Sequence, residues 1–259
     1  MVEEHSNIRI INIAKSLNIR FHDDSPLLTQ LNDKALVVHD DVIHEVELQL
    51  ALIACLQKSQ TFVDVGCQFG PYILLANEYL PDDGRIFALE ASPKYAGKLR
   101  STFAETCPAR LTVENVGVAE KKGTLPLFKD SFAHQIPAKA RHEGQSVPTN
   151  TLDELMLEKY KLIPDVVKID IEGFEYQALK GSRRLISQCK TNFFVEIHHE
   201  YLRVQGIDEK MILDLFDDDL FEKRILSLAP GLPFEKVEGR RHRKTALSYW
   251  HFRPQIDSD

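Results

Sequence analysis

Cysteine is scarce in this 259-residue chain, and Cys55, Cys67, Cys107 and Cys189 never approach a C-x-x-C spacing. That excludes a zinc knuckle or a disulfide framework as the organising device. Long apolar runs are missing as well: none reaches the ~20 residues that span a bilayer. The opening Met-Val-Glu-Glu-His-Ser-Asn has neither the basic nor the apolar stretch of a secretory signal. The expectation is a reduced, cytoplasmic protein with no membrane partner. Positive charge is in deficit, 32 Lys and Arg against 39 Asp and Glu for a net charge of −7, which argues against a broad nucleic-acid footprint. The one basic run, Arg240-Arg241-His242-Arg243-Lys244, reads as a solvated turn. Glycine is absent from the first sixty residues, whose apolar positions Val42, Val46, Leu50, Ile53 and Ala54 recur at helical spacing.

From residue 61 the pattern changes. Short apolar runs at Thr61–Val65, Arg85–Leu89, Leu111–Val116, Val166–Ile171 and Phe193–Ile197 alternate with helical stretches. Near-continuous apolar runs suit strands buried on both faces of a parallel sheet. The helices carry their own punctuation: Gly70-Pro71, Ser92-Pro93 as N-cap and first-turn proline, and the capping-box pattern Thr151-Leu-Asp-Glu154. The alternation predicts a doubly wound α/β sheet. It divides into a helical N-terminal segment over 1–58, a candidate lid, and one domain over 59–256. Residues 130–148 lack either period and read as a long functional loop covering a pocket. Leu220–Leu228 and Thr245–Phe252 predict two antiparallel strands completing a sheet edge.

Three features carry chemistry. Val63-Asp64-Val65-Gly66-Cys67-Gln68-Phe69-Gly70-Pro71 follows a strand and opens a helix, where glycines let the backbone approach a ligand and the helix start offers free N–H groups. Glu90 ends the next strand, beside that loop in a doubly wound sheet, where a carboxylate accepts two hydrogen bonds from a ribose diol. Together they indicate a nucleoside-containing cofactor. The loop lacks the middle glycine of G-x-G-x-x-G that clears room for a pyrophosphate, so an NAD(P)-dependent oxidoreductase is the weaker alternative to an enzyme using S-adenosyl-L-methionine. A non-catalytic nucleoside-binding module on the same fold is a third reading. The third feature, Lys168-Ile-Asp170-Ile-Glu172-Gly173-Phe-Glu175, lies at the carboxyl end of the fourth strand, where ligands bind in open α/β sheets. Asp170 and Glu172 are expected to face the cleft. Glu175 reads equally as a charge at a helix start. The fifth strand ends in His198-His199, of which alternation admits at most one to the cleft.

These motifs, with Asn115-Val-Gly117-Val-Ala, Thr151-Leu-Asp-Glu-Leu and Leu179-Lys-Gly181, stand in the order found in FkbM-family methyltransferases, which the chain resembles over roughly residues 60 to 200. The resemblance implies a Rossmann-like class I methyltransferase sheet, mostly parallel with the last strand antiparallel. It also implies S-adenosyl-L-methionine as cofactor and O-methylation of a hydroxyl on a small metabolite or glycan-like acceptor. Carried over motif by motif, it places Asp64, Gly66, Cys67, Gly70 and Tyr72 at the donor loop, with Glu90, Ala91, Asn115, Gly117 and Asp170 completing the cofactor site. Cys67-Gln68 departs from the Ala-Asn usual in the family. The catalytic expectation is Asp170 positioning donor and acceptor, His198 as general base and Glu172 orienting it, without a metal.

Overall fold

The computed structural model describes residues 8–12, 35–39, 45–107, 110–127, 145–226, 235–236 and 247–255. Strands β1 (Ile8–Asn12) and β2 (Ala35–His39) pair antiparallel, so among the described residues the helical expectation for the first segment holds for α1 (Val46–Leu56) and fails for these two strands. Both strands are rich in β-branched residues, and that propensity prevails where the helical period is weak. Next come β3 (Thr61–Val65), α2 (Pro71–Tyr79), β4 (Arg85–Glu90), α3 (Pro93–Thr102), β5 (Leu111–Asn115) and the short β6 (Gly117–Val118). They lead into β7 (Gly123–Leu127), β8 (Gln145–Asn150), a π-helical turn at Glu154–Lys159 and β9 (Val166–Ile169). After these follow α4 (Glu175–Lys180), α5 (Arg183–Ser187), β10 (Asn192–His198), α6 (His199–Val204), α7 (Glu209–Leu213), β11 (Phe221–Leu226), β12 (Glu235–Lys236) and β13 (Leu247–Pro254).

Eight of these strands form one sheet in the order β12-β11-β13-β10-β9-β3-β4-β5. Strands β5, β4, β3, β9 and β10 run parallel, and β13, the last strand, lies antiparallel between β10 and β11. This is the doubly wound, mostly parallel sheet expected of the class. The two late strands pair antiparallel, but β13 is interior rather than at the edge. A second sheet, β6-β8-β7, stands beside the carboxyl end of β4. The loop expected over 130–148 ends inside β8, where Gln145–Asn150 pairs with β7 and β6; the rest of it lies outside the described residues.

Alternation along the strands builds two cores. Phe62, Ile86, Ala88, Val166 and Phe194 face α1 and α2, meeting Leu48, Leu52, Leu56 and Ile73. Val63, Val65, Phe87, Leu89, Val167, Ile169 and Val195 face the other way, onto Ala178, Leu179 and Leu185. Because α1 buries its residues in the same core as β3, the helical part of the N-terminal segment is packed into the sheet's own structure. Asp165 fixes the start of the central pair: its Oδ2 accepts from the backbone N–H of Gln60 and Thr61 and from the Thr61 hydroxyl at 2.7–2.9 Å. Thr151 Oγ1 caps Glu154 N at 3.0 Å as its motif predicts, but the turn it opens is wound as a π-helix.

Candidate active site

The loop after β3 turns at Gly66, which has φ of +85°, and a Cβ there would come within 2.0 Å of the Asp170 carbonyl oxygen. Glycine is therefore required for β3 and β9 to close together at this end. Gly70 also has φ of +82°, and its missing Cβ makes room for Phe103 and Leu99 as it starts α2. Between them Gln68 is held in the left-handed region at φ 44°, a strained conformation for a side-chain-bearing residue. Its N–H donates to Glu90 Oε2 at 2.9 Å, while Glu90 Oε1 accepts from Ser92 N at 2.8 Å. The Glu90 carboxylate thus ties the glycine loop after β3 to the start of α3.

These loops border an open cleft at the carboxyl ends of β3, β4 and β9. Of the residues singled out in the sequence, Gly66, Glu90, Ala91, Gly117, Asp170 and Glu172 line it. Val116, Val118 and Leu127 give it an apolar wall. Asp64, Cys67, Gly70, Tyr72, Asn115 and His198 are not in its lining. The Asn115 amide donates to the Glu90 and Ala91 carbonyls at 2.9 Å and so braces the β4 turn. Cys67 is buried with Sγ 3.2 Å from the Asp64 carbonyl, and burial pushes its thiol well above the ordinary range. Tyr72 is buried, and its ring faces the Lys168 ammonium at 4.6 Å.

Asp64 belongs to a second, charged half of the site. It is completely buried, and neither carboxylate oxygen has a hydrogen-bond partner among the described residues. Its compensation is Lys168, its register partner on β9, whose Nζ lies 3.8 Å away and also 3.1 Å from Asp170 Oδ2. Burial pushes Asp64 up to about 6 despite the lysine. Burial would drive Asp170 the same way, but Lys168 and a hydrogen bond from Glu196 hold it below its usual value. Glu196 on β10 bears the opposite consequence: burial, the Asp170 charge and a hydrogen bond with Asp170 push its carboxyl up. Tyr249 on β13, opposite Glu196 in register, places its hydroxyl 2.9 Å from Glu196 Oε2 and 2.7 Å from Glu45 Oε1. Glu45 also accepts from the Tyr72 hydroxyl, which closes the network back onto Lys168.

His198 ends β10 beside this network. Its Nδ1 is 2.8 Å from Glu175 Oε1, and the same oxygen accepts from Gly173 N at 2.7 Å. The sequence expectation that Glu172 orients His198 is thus corrected. Glu172, at φ 50°, turns toward the cleft, whereas Glu175 at the start of α4 is fully buried against the imidazole. Burial lowers the His198 pKa, but the Glu175 hydrogen bond and charge, with Asp170 and Glu172 beyond, outweigh it and hold the ring above its ordinary value. His199 points elsewhere, its Nε2 on Ser248 Oγ at 2.8 Å and its Nδ1 at the same distance from Glu209. Asp170, Glu196 and His198 each offer a ligand atom within 4.8 Å of the others, a spacing able to hold a cation. Lys168 already brings a positive charge to Asp170.

Sequence reasoning missed Lys168, Glu175, Glu196, Tyr249 and Glu45. A signal existed for the first three. Lys168 and Glu196 are charges in the middle of strands otherwise buried on both faces, and Glu175 begins a helix directly after the cleft-facing turn. Glu45 and Tyr249 gave none, since their meeting depends on tertiary packing across 204 residues of sequence.

A family model described as the methyltransferase FkbM domain matches residues 64–222. Among curated proteins, the hexuronic acid methyltransferase AglP of Haloferax volcanii is 25% identical over 203 residues, covering 78% of this chain and 79% of that one. Among solved structures, the methyltransferase FkbM from Methylobacillus flagellatus KT superposes with a TM-score of 0.51 at 18% identity over 75% of this chain. This chain spans 43% of that protein's length, and the likeness speaks for the fold. Among the described residues no helix is long and apolar enough to cross a membrane.

Proposed function

Since the chain belongs to the FkbM methyltransferase family, whose members depend on S-adenosylmethionine, we propose that the cleft between Gly66, Glu90 and Asp170 is its donor seat and that it O-methylates a hydroxyl on a glycan-like acceptor. The family assignment removes the oxidoreductase alternative. The observation that carries the reading is Glu90: an acid at the carboxyl end of β4, oriented by two backbone donors, in the cleft wall. A carboxylate has two acceptor oxygens, which suits it to the paired hydroxyls of a ribose diol. Val116, Val118 and Leu127 provide an apolar surface suited to a purine ring. Asp170, held ionised, is matched to the cationic amino group of the donor. The cleft's chemistry fits the cofactor.

Bound there, S-adenosylmethionine supplies an electrophilic methyl group on a sulfonium centre. The chain's own residues do the rest. Asp170 and the left-handed turn through Glu172 fix the edge of the cleft on which the acceptor hydroxyl approaches. His198, with Nδ1 held by Glu175, takes up the hydroxyl proton on its other nitrogen, and the Glu175 charge stabilises the imidazolium that forms. Lys168 provides the positive charge that keeps Asp170 ionised, so this reading assigns no metal to the Asp170, Glu196 and His198 cluster.

The acceptor class draws support from the hexuronic acid named for the Haloferax volcanii relative. The test is transfer of a labelled methyl group from S-adenosylmethionine to a panel of free sugars, uronic acids and uronate-containing oligosaccharides. Labelled methyl ether on a uronate or neutral sugar is the expected product. Labelling confined to carboxylates or amines would overturn the hydroxyl assignment.

A further inference from the structure

The charged half of the site extends beyond the residues the family model matches. Glu45 precedes α1 and has φ 53° and ψ 46°, left-handed values that a residue with a side chain adopts only when its surroundings impose them. What holds it is visible: its two carboxylate oxygens receive the hydroxyls of Tyr72 and Tyr249. Tyr249 is buried completely between β10 and β11, and its single hydroxyl hydrogen is shared between Glu45 Oε1 and Glu196 Oε2. The Tyr249 hydroxyl on Glu196 Oε2 leaves the other Glu196 oxygen for Asp170, and carboxylate oxygens of the two acids lie within 4.8 Å of each other. Asp170 in turn lines the cleft. Hydrogen bonds from Glu45 through Tyr249 to Glu196 therefore join the N-terminal segment to the neighbour of a cleft residue.

We propose that Glu45 and Tyr249 are positioning residues of the donor site, acting through Glu196 to keep Asp170 ionised and aimed into the cleft. The inference rests on the donor reading above. It adds that parts of the chain outside residues 64–222 complete the site. The groups that face Asp170 are consistent with it. Lys168 supports the anion from its own strand, His198 from β10 and Tyr249 through Glu196, while Asp64 on β3, Glu172 in the following turn and Glu175 on α4 oppose it by like charge. With these acids facing it, Asp170 keeps its charge through Lys168 and the hydrogen bond with Glu196.

The experiment is calorimetric titration of S-adenosylhomocysteine into the full chain, wild type, Tyr249→Phe and Glu45→Gln, at several pH values between about 6 and 8, with the melting midpoint of each protein measured in parallel. Tyr249→Phe removes one oxygen and Glu45→Gln keeps the side-chain shape, so two routes are open if one variant fails to fold. The expected result is an affinity loss of about tenfold in each variant, growing as the pH falls and Asp170 gains a proton, against a flat wild-type profile. Affinity within twofold of wild type at every pH would overturn the proposal. A loss equal at all pH values would also overturn it, because that is the mark of a merely structural role. Absence of binding by the wild type overturns the donor reading itself and is distinguishable from both.

Discussion

The two halves of the sheet's carboxyl edge are built by opposite means. On the side of β3, β4 and β5, the cleft is made of backbone: glycine turns, N–H groups spent on one carboxylate, an asparagine bracing a strand end, and an apolar wall. On the side of β9, β10 and β13 the edge is built from buried charge, with Lys168, Asp170, Glu196, Glu175 and His198 packed against one another and against Asp64 of β3. The first half is tolerant in energy, because each polar group finds a neutral backbone partner. The second is costly, since every charge there depends on another. The difference predicts that substitutions in the first half change ligand affinity alone, whereas those in the second also change stability and proton transfer.

The sharpest way to break this comparison is through proton transfer. His198→Ala removes the proposed base and should slow single-turnover methyl transfer by about 10²–10⁴ while S-adenosylhomocysteine binds as before. In the wild type the rate should climb as pH rises through the raised His198 pKa, because only the neutral ring accepts a proton. Glu175→Gln deletes the main partner raising it, so that limb should move to lower pH. A full rate in His198→Ala would assign the base elsewhere.

Stability comes next. Lys168→Met leaves Asp64 and Asp170 together without their cation, and breaking a buried pair by removing one partner costs about 3–5 kcal/mol. Denaturant unfolding should show that loss at neutral pH, and it should shrink as acid neutralises the carboxyls. The sign follows from Asp64: once Lys168 is gone, burial and the Asp170 charge raise its pKa further, so the folded variant takes up protons before the unfolded chain does and gains stability as pH falls. A variant as stable as wild type would show that the charged half is not held by its charges.

The same contrast explains what the sequence discloses. The doubly wound sheet is legible because five apolar runs alternate with capped helices, and a strand buried on both faces has no other pattern to follow. Gly66, Glu90, Ala91 and Gly117 are legible because each stands at a strand end or turn that its own short motif marks. Glu175 was open to a bland reading as a helix-start charge, and its pairing with His198 crosses 23 residues and two elements. Asn115 and Tyr72 belong to the right motifs but support the site from behind, since side-chain direction at a strand end is decided by packing. The N-terminal strands escaped because a five-residue β-branched run competes with a helical period that only Val46–Leu56 sustains.

The measurement that bears most directly on the account is calorimetric titration of S-adenosylhomocysteine, with NAD as control, into the wild type and Glu90→Ala. Hydrogen bonds to a charged group contribute about 1.5–3 kcal/mol each. The account therefore predicts that the wild type binds S-adenosylhomocysteine and not NAD, and that Glu90→Ala weakens this binding by about 10–1000-fold with the fold retained. Equal affinity in the two proteins would contradict the placement of the donor ribose on Glu90, and with it the assignment of the cleft.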